Sequence, residues 1–177
     1  MTTKKAAILK AALKQFSSNG ISSSSTNMIA KAAGVSEALI FKYFVNKKGL
    51  VNALKLQGEE LFDEFFRSLE AEKDPKLVIY KIIEIFFSTD ENNALFLKFN
   101  LRLDIEEKSD HNWKIALFYK HLLKAFKNLN CTEPEQESRF LILFLKGLGT
   151  ELEDKSFYAD PDLADFIIRK YELNSKG

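Results

Sequence analysis

The sequence is poor in the residues from which disulfides, metal sites and active sites are usually built. It has one cysteine, Cys131, and two histidines, His111 and His121, which excludes a disulfide framework and any usual zinc spacing. These three residues form no recognisable catalytic constellation, and the acidic stretches DIEE (104–107) and ELED (151–154) are explained as solvated helix ends. We therefore expect no metal, no cofactor and no enzymatic activity, and a reducing, cytoplasmic setting.

Long hydrophobic runs are also missing. Lys10 and Lys14 interrupt the apolar residues near the N-terminus, so no signal-peptide core is expected there. No run approaches the roughly 18 apolar residues of a membrane span. These absences predict a soluble protein without a membrane partner.

Proline is rare and its positions are informative. Its three occurrences, at 75, 134 and 161, each stand where an apolar segment with helical periodicity begins. Glycine is sparse and strand-like alternation is missing. The pattern predicts an all-α protein of about nine helices, at 4–18, 26–33, 36–44, 46–69, 75–88, 92–105, 110–129, 134–153 and 161–173.

Charge is divided unequally along the chain. Residues 1–58 contain nine lysines and a single acidic residue, Glu37, a net charge of +8, whereas the whole chain carries only +1. The remaining residues therefore sum to −7. Such an asymmetry indicates that the first segment contacts a polyanion, with a solvated lysine-rich surface as the alternative. The sign changes near Gly58, which makes this glycine a candidate boundary.

Two short predicted helices, joined by Ala-Gly-Val-Ser at 33–36, have the arrangement of a helix-turn-helix. The stretch IAKAAGVSEALIFKYFVNKKGL from Ile29 resembles the DNA-binding signature of the tetracycline-repressor (TetR) family of bacterial transcriptional regulators. The resemblance covers residues 4 to about 54. The rest of the chain matches the family only in length and helical character.

Three positions depart from the family pattern. Phe41 replaces a frequent tyrosine, which removes a phenolic hydrogen bond to phosphate that Tyr43 could supply instead. Lys48 replaces a frequent glutamate and adds positive charge. Ala38 replaces a frequent glycine, a change that a backbone packed near DNA would tolerate.

The resemblance implies a three-helix DNA-binding domain at 1–48, a fourth helix from 46 that links the two parts, and a helical regulatory and dimerisation domain at 49–177. It implies that the third helix of each subunit enters a DNA major groove. Lys42 could then contact guanine, Glu37 cytosine N4, and Leu39 or Ala38 a thymine methyl. Lys47 and Lys48, at a helix N-terminus, would meet phosphate. The positions expected to face DNA are Ser25, Thr26, Asn27, Ser36, Glu37, Ala38, Leu39, Phe41, Lys42, Tyr43, Lys47 and Lys48.

Aromatic residues in this head also have a structural interpretation. Ile40 and Phe44 are expected to fill the three-helix core, and Phe41 could face either the core or DNA. Ser36 is expected to cap the third helix whatever else it does.

Phenylalanine is concentrated beyond Gly58, where 13 of the 16 occur. Aromatic residues in helices usually form core, but a bundle lined by them could also hold an apolar effector. The candidate pocket residues are Phe62, Phe66, Phe86, Phe99, Asn100, Trp113, Phe118, Tyr119, His121 and Phe144.

The segment FLILFLKGLGTELE (140–153) is apolar on nearly every side, and Gly147 and Gly149 would allow another helix to approach closely. With the helix at 162–173 it predicts a two-fold dimer interface, the alternative being a central helix of a single subunit. The interface residues expected are Phe140, Leu143, Phe144, Gly147, Leu148, Glu151, Phe166, Ile167 and Lys170.

The resemblance therefore implies a homodimeric, ligand-responsive transcriptional regulator that binds a palindromic operator in double-stranded DNA. The family likeness favours a repressor released by a small, largely apolar molecule. Two alternatives remain open: a helical protein-interaction module that no longer binds DNA, and a ligand-independent regulator with a vestigial effector pocket.

Overall fold

The computed structural model describes residues 3–87, 90–106, 113–150 and 161–173, and within these residues it contains nine helices and no strand. The all-α fold and the number of helices agree with the sequence prediction. The helices are α1 (Thr3–Asn19), α2 (Thr26–Ala33), α3 (Glu37–Phe44), α4 (Lys47–Ala71), α5 (Pro75–Phe86), α6 (Glu91–Glu106), α7 (Trp113–Asn128), α8 (Pro134–Thr150) and α9 (Pro161–Lys170).

The helices belong to two compact units. The head unit contains the described residues of Met1–Leu61 and Leu95–Ser109, and the second unit contains those of Phe62–Ala94 and Asp110–Gly177. Both α4 and α6 run from one unit into the other. The predicted domains, 1–48 and 49–177, follow the motif, whereas the compact units divide α4 after Leu61.

The core of the head unit is a three-helix arrangement supported by α4 and α6. From α1 it receives the periodic face that includes Ile8, Leu13 and Phe16, all nearly inaccessible to solvent. Ile40 and Phe44 of α3 are buried against it, as predicted. The burial of large apolar side chains typically stabilises a fold by about 1.5–3 kcal/mol each, so this core fixes the orientation of α3.

Helix α6 packs against the same core beside Gly58, the position at which α4 has no side chain. A Cβ atom on Gly58 would lie 3.0 Å from Asn100 Nδ2 and 3.4 Å from Phe96 Cδ1. The glycine thus lies inside α4, where it permits close contact with α6, although the sequence made it a candidate boundary.

In the second unit, α7 packs against α5 and α8, and α9 packs against α5. Helix α5 begins as the proline rule predicts, with Pro75 in its first turn and the Asp74 carboxylate accepting a hydrogen bond from Lys76 N at 2.8 Å. Among the described helices, none combines the length and the apolar character needed to cross a bilayer.

Candidate nucleic-acid interface

Helices α2 and α3 are fixed by local caps, and the sequence predicted the cap at Ser36. The Ser25 hydroxyl accepts from Met28 N at 3.1 Å, and the Ser36 hydroxyl accepts from Leu39 N at 3.3 Å. Between the helices, Gly34 adopts the left-handed conformation (φ +65°) that closes α2. Ser25 and Ser36 therefore hold the helix ends, and each hydroxyl keeps its proton available for a phosphate oxygen.

The outward side of α3 carries a small set of accessible residues. Ala38, Phe41 and Lys42 are exposed, and Phe41 shows 44% of its surface to solvent. The position of Phe41, left open by the sequence, is thus on the surface. Leu39 and Tyr43 are half-buried and pack partly against the core. The exposed residues form a short face of mixed apolar and cationic character.

Glu37, the single acidic residue of the N-terminal segment, is held by a neighbour from α2. Its Oε1 accepts a hydrogen bond from Thr26 Oγ1 at 2.5 Å. Thr26 and Glu37 were both predicted to face DNA, and the structure places them together, with Asn27 exposed next to Thr26. One carboxylate oxygen remains uncommitted, which fixes the direction from which Glu37 can accept a further hydrogen bond.

The turn between α3 and α4 has a strained conformation. Val45 has φ +66° and ψ −48°, and Asn46 N donates to Phe44 O at 2.7 Å, which together define a γ-turn of the rare form. The turn directs the Phe44 carbonyl at the first turn of α4, where a Cβ atom on Gly49 would lie only 1.9 Å from Phe44 O. Asn46 then caps α4 through Oδ1, which accepts from Gly49 N at 2.9 Å.

The two lysines that begin α4 have different surroundings. Lys47 is half-buried and its Nζ donates to Ser22 O at 3.3 Å, whereas Lys48 is exposed. Lys47 therefore has a partner within the head unit, and Lys48 has the open position expected of a phosphate contact. Lys4, Lys10, Lys14, Lys31 and Lys42 are exposed as well.

Glu106, near the C-terminal end of α6, binds the loop between α1 and α2. Its Oε1 accepts from Ile21 N at 2.7 Å, and its Oε2 accepts from Ser22 N at 2.9 Å and from Ser22 Oγ at 2.7 Å. Burial raises the pKa of Glu106, but these hydrogen bonds and the Lys47 charge outweigh it and hold the pKa below its ordinary value of 4.5. The sequence explained this residue as a solvated helix end. Glu106 is indeed exposed at the end of α6, but its carboxylate also joins elements 84 and 85 residues apart, which the sequence did not predict.

Five of the candidate pocket residues form a ring-to-ring cluster in the second unit: Phe62, Phe66, Phe86, Phe118 and His121. Phe118 lies at its centre, with centroid distances of 5.0 Å to Phe66, 5.7 Å to Phe86 and 6.4 Å to Phe62. His121 stacks on Phe66 at 6.0 Å. Tyr119 is half-buried, and Phe144 stacks on Phe140 at 6.3 Å.

Three other candidate pocket residues are placed differently or not described. Phe99 belongs to the core of the head unit, where it stacks on Phe16 at 6.2 Å. Asn100 is in the same unit and donates to Phe96 O at 2.8 Å. The side chain of Trp113 lies outside the described residues.

The predicted interface residues of α8 and α9 are partly on the surface and partly in the core. Phe140, Leu143 and Phe166 expose 54%, 69% and 56% of their surfaces, and Gly147 and Lys170 are exposed too. Leu148 and Ile167 are buried within the second unit. Glu151 lies outside the described residues.

Comparison with known proteins agrees with this geometry. Residues 8–54 match the model of the family described as bacterial regulatory proteins, tetR family. NalD of Pseudomonas aeruginosa, described as the secondary repressor of the MexAB-OprM multidrug efflux pump, superposes with a TM-score of 0.62 at 24% identity over 96% of this chain and 93% of its own.

Two further solved structures have the same fold. A putative TetR-family regulator from Rhodococcus sp. has a TM-score of 0.67 at 16% identity over 97% of this chain and 98% of its own. A transcriptional regulator from Aquifex aeolicus VF5 has a TM-score of 0.68 at 18% identity over 96% of this chain and 98% of its own. The matched proteins are regulators rather than enzymes, in agreement with the prediction of no enzymatic activity. The capped helix-turn-helix thus lies within the segment, residues 8–54, that matches the tetR family model, and the chain as a whole has the fold of these solved regulators.

Proposed function

We propose that this protein is a transcriptional repressor that binds a palindromic operator as a homodimer through the exposed side of α3. The observation that carries the proposal is the pairing of a capped α3, with Ala38, Phe41 and Lys42 exposed, with a segment of net charge +8. Lys42 contributes base contacts, and Lys48 contributes phosphate contacts at the N-terminus of α4. Glu37, oriented by Thr26, accepts from a base through its uncommitted oxygen.

Fluorescence anisotropy on duplexes selected from a random pool tests this proposal. We expect the selected sites to be palindromes with half-sites about 34–36 Å apart, or a multiple of that spacing. Lys42→Ala is expected to lower the preference for the selected site over a scrambled one by about 1–3 kcal/mol. Lys48→Ala is expected to weaken both duplexes alike. Lys127→Ala, in the second unit, serves as the matched control, and absence of salt-dependent binding to any duplex would reject the proposal.

Lys47→Ala is expected to weaken both duplexes as well, but for two reasons. Its ammonium group is near the N-terminus of α4, where phosphate binds favourably. It also donates to Ser22 O, so its removal loosens the loop before α2. Comparing Lys47→Ala with Lys48→Ala separates the two contributions, because only Lys47→Ala should also lower the free energy of unfolding.

We propose that a second copy of the chain covers the exposed face of α8 and α9. The support is the apolar surface of Phe140, Leu143 and Phe166, which belongs to the residues that the family likeness assigns to the dimer. Sedimentation equilibrium at micromolar concentration is the test. A single species of the chain's 20.3 kDa would contradict the dimer.

We further propose that a small, largely apolar effector releases the operator. The support is the aromatic cluster around Phe118, to which His121 adds a polar group by stacking on Phe66. Because the rings are already in contact, an effector entering the cluster would move Phe62 and Phe66, which belong to α4. Because α4 continues into the head unit, we propose that the effector shifts the protein between two conformations that differ in operator affinity.

The measurement is operator affinity with and without a panel of apolar drug-like molecules and fatty acids. Linkage requires that the operator lower effector affinity by the same factor by which the effector lowers operator affinity. Equal effector affinity with and without operator would reject the coupling.

A further inference from the structure

Helix α3 carries apolar residues on the side that faces away from the core. Ala38, Phe41 and Val45 are exposed, and spacings of three and four residues place them in line along one face, with Val45 at the C-terminal cap of the helix. These three residues form the apolar stripe. Ile40 and Phe44 are buried in the core of the head unit on the other side. Surface helices normally carry polar residues toward solvent, so packing within the head unit does not explain the apolar stripe.

Exposed apolar side chains are concentrated in this part of the molecule. In the described residues seven large apolar side chains are exposed, and three of them belong to the face of α8 and α9 that we propose a second copy covers. Leu56 lies on α4. The remaining three are Met28, Phe41 and Val45, which all lie in the helix-turn-helix or in the turn that follows it. An apolar group of a partner is therefore expected at the surface proposed to bind DNA.

The apolar stripe contains no side-chain group that forms hydrogen bonds. Phe41 lacks the hydroxyl group of a tyrosine, so it cannot donate to a phosphate oxygen either. The apolar group that base edges present in the major groove is the C5-methyl group of thymine. The chemistry of the apolar stripe therefore matches this methyl group.

Charge and size favour DNA over a protein as the partner of the apolar stripe. Lys42 is next to Phe41 in sequence and is exposed, as are Lys31 on α2 and Lys48 on α4. Nine lysines and one acidic residue give the segment 1–58 its net charge of +8. Helix α3 has only eight residues, whereas each partner in a typical protein interface buries about 800 Å². A narrow apolar stripe among cationic residues suits a groove bordered by phosphates.

We propose that Phe41, together with Ala38, selects operator half-sites that contain thymine by contact with its methyl group in the major groove. The inference rests on the proposed function, because it requires α3 to lie in the major groove, and it adds the class of base that the helix selects. The resemblance assigned a thymine methyl to Leu39 or Ala38, but Leu39 is half-buried and packs against the core. Phe41 is thus a specificity-determining residue, although it makes no hydrogen bond to a base.

Replacement of thymine by deoxyuridine tests the proposal with the unaltered protein. The replacement removes only the methyl group and leaves the hydrogen-bonding groups of the base in place. Each thymine of the duplex selected from a random pool is replaced in turn, and fluorescence anisotropy measures the affinity. We expect at least one position in each half-site at which binding weakens about fourfold, the equivalent of about 0.8 kcal/mol for one buried methyl-sized group. Deoxyuridine outside the half-sites should have no effect.

Variants of the protein assign the effect to Phe41. In Phe41→Ala the thymine and deoxyuridine duplexes should bind with nearly equal affinity, because the contact with the methyl group is already lost. Phe41→Tyr keeps the ring and should retain the fourfold difference. Leu56→Ala, which removes another exposed apolar side chain of the head unit, is the matched control and should also retain it.

Failure of this inference is distinguishable from failure of the proposed function. Absence of binding to any duplex rejects both, and the apolar stripe would then serve a protein partner. Tight binding to a selected duplex in which no thymine is sensitive to deoxyuridine, or whose half-sites contain no thymine, overturns only the role of the apolar stripe. A fourfold difference that persists in Phe41→Ala assigns the methyl contact to another residue and overturns it as well.

Discussion

At the residue scale, the junction of α3 and α4 depends on two residues with opposite roles. Val45 adopts a positive φ, which is unfavourable for a β-branched residue. Gly49 leaves room for this turn, because the turn points the Phe44 carbonyl into the space that a Cβ atom of residue 49 would occupy. Helix α4 therefore starts at a position fixed by backbone contact.

Gly49→Ala is expected to destabilise the protein by about 2–4 kcal/mol, within the range of severe single substitutions. The added methyl group would occupy a point 1.9 Å from Phe44 O, and relief requires the backbone of the turn to move. Urea unfolding measures the change. Ala116→Gly, at an exposed position of α7, is the reciprocal control and should cost about 1 kcal/mol by helix propensity alone. A stabilised Gly49→Ala variant would show that the turn has another conformation.

Val45→Gly is expected to stabilise the protein by roughly 0.5–1 kcal/mol. Relief of the strain, about 1–3 kcal/mol, exceeds the greater chain entropy of glycine in the unfolded state, about 0.5–1 kcal/mol. Val45 is 78% exposed, so little packing is lost. Val45→Ala serves as the control, since it removes the branched side chain but keeps most of the strain. Equal stability of the two variants would contradict the explanation.

At the element scale, the loop between α1 and α2 is held by α6 and by α4. Glu106 accepts three hydrogen bonds from Ile21 and Ser22, and Lys47 donates to Ser22 O. The loop leads directly into Ser25, the cap of α2. Helix α6 therefore helps to position the start of α2, which we propose to face DNA.

Glu106→Gln is expected to lower the free energy of unfolding by about 1 kcal/mol at pH 7, a charge-assisted hydrogen-bond contribution reduced by solvent exposure. Because the pKa of Glu106 is below 4.5 in the folded protein, its stabilisation is complete above about pH 4.5 and is lost as the pH falls through the folded pKa. The difference between the two proteins should therefore shrink below pH 4. Urea unfolding at several pH values measures it.

Glu91→Gln, an exposed carboxylate at the other end of α6, is the control for Glu106→Gln. Its effect should remain within about 0.5 kcal/mol, as for most surface substitutions. A difference between Glu106→Gln and the unaltered protein that does not change with pH would contradict the assignment of the effect to ionised Glu106.

Whether a contact could be predicted depends on how far apart its two residues lie along the sequence. The cap of α3 at Ser36 follows from a hydrogen bond that spans three residues, and the burial of Ile40 and Phe44 follows from helical periodicity. Both were predicted. Glu106 was not, because its partners are 84 and 85 residues away and nothing local distinguishes it from a solvated helix end. Val45 carries none of the glycine or asparagine signals that usually indicate a positive φ.

At the scale of the whole molecule, the charge asymmetry is the feature that connects sequence with function. Most lysines of the head unit are exposed to solvent, and the acidic residues of the chain are concentrated beyond residue 58. Composition predicted this division. Among the α3 residues that the resemblance assigned to DNA, Ala38, Phe41 and Lys42 are exposed, whereas Leu39 and Tyr43 are half-buried.

The last prediction joins the proposed dimer to this charge. Leu143→Glu places a charge on the exposed apolar face of α8, and we expect it to convert the dimer to a monomer. A monomer presents half of the phosphate contacts, and each contact contributes about −0.9 to the slope of log affinity against log salt. Anisotropy at several salt concentrations should therefore give a slope about half that of the unaltered protein, together with a large loss of operator affinity. Thr132→Glu adds the same charge at the exposed turn between α7 and α8 and should change neither the sedimentation behaviour nor the slope. A monomeric Leu143→Glu variant that retains the full slope would show that a single subunit makes all the phosphate contacts, and the palindromic operator would have to be abandoned.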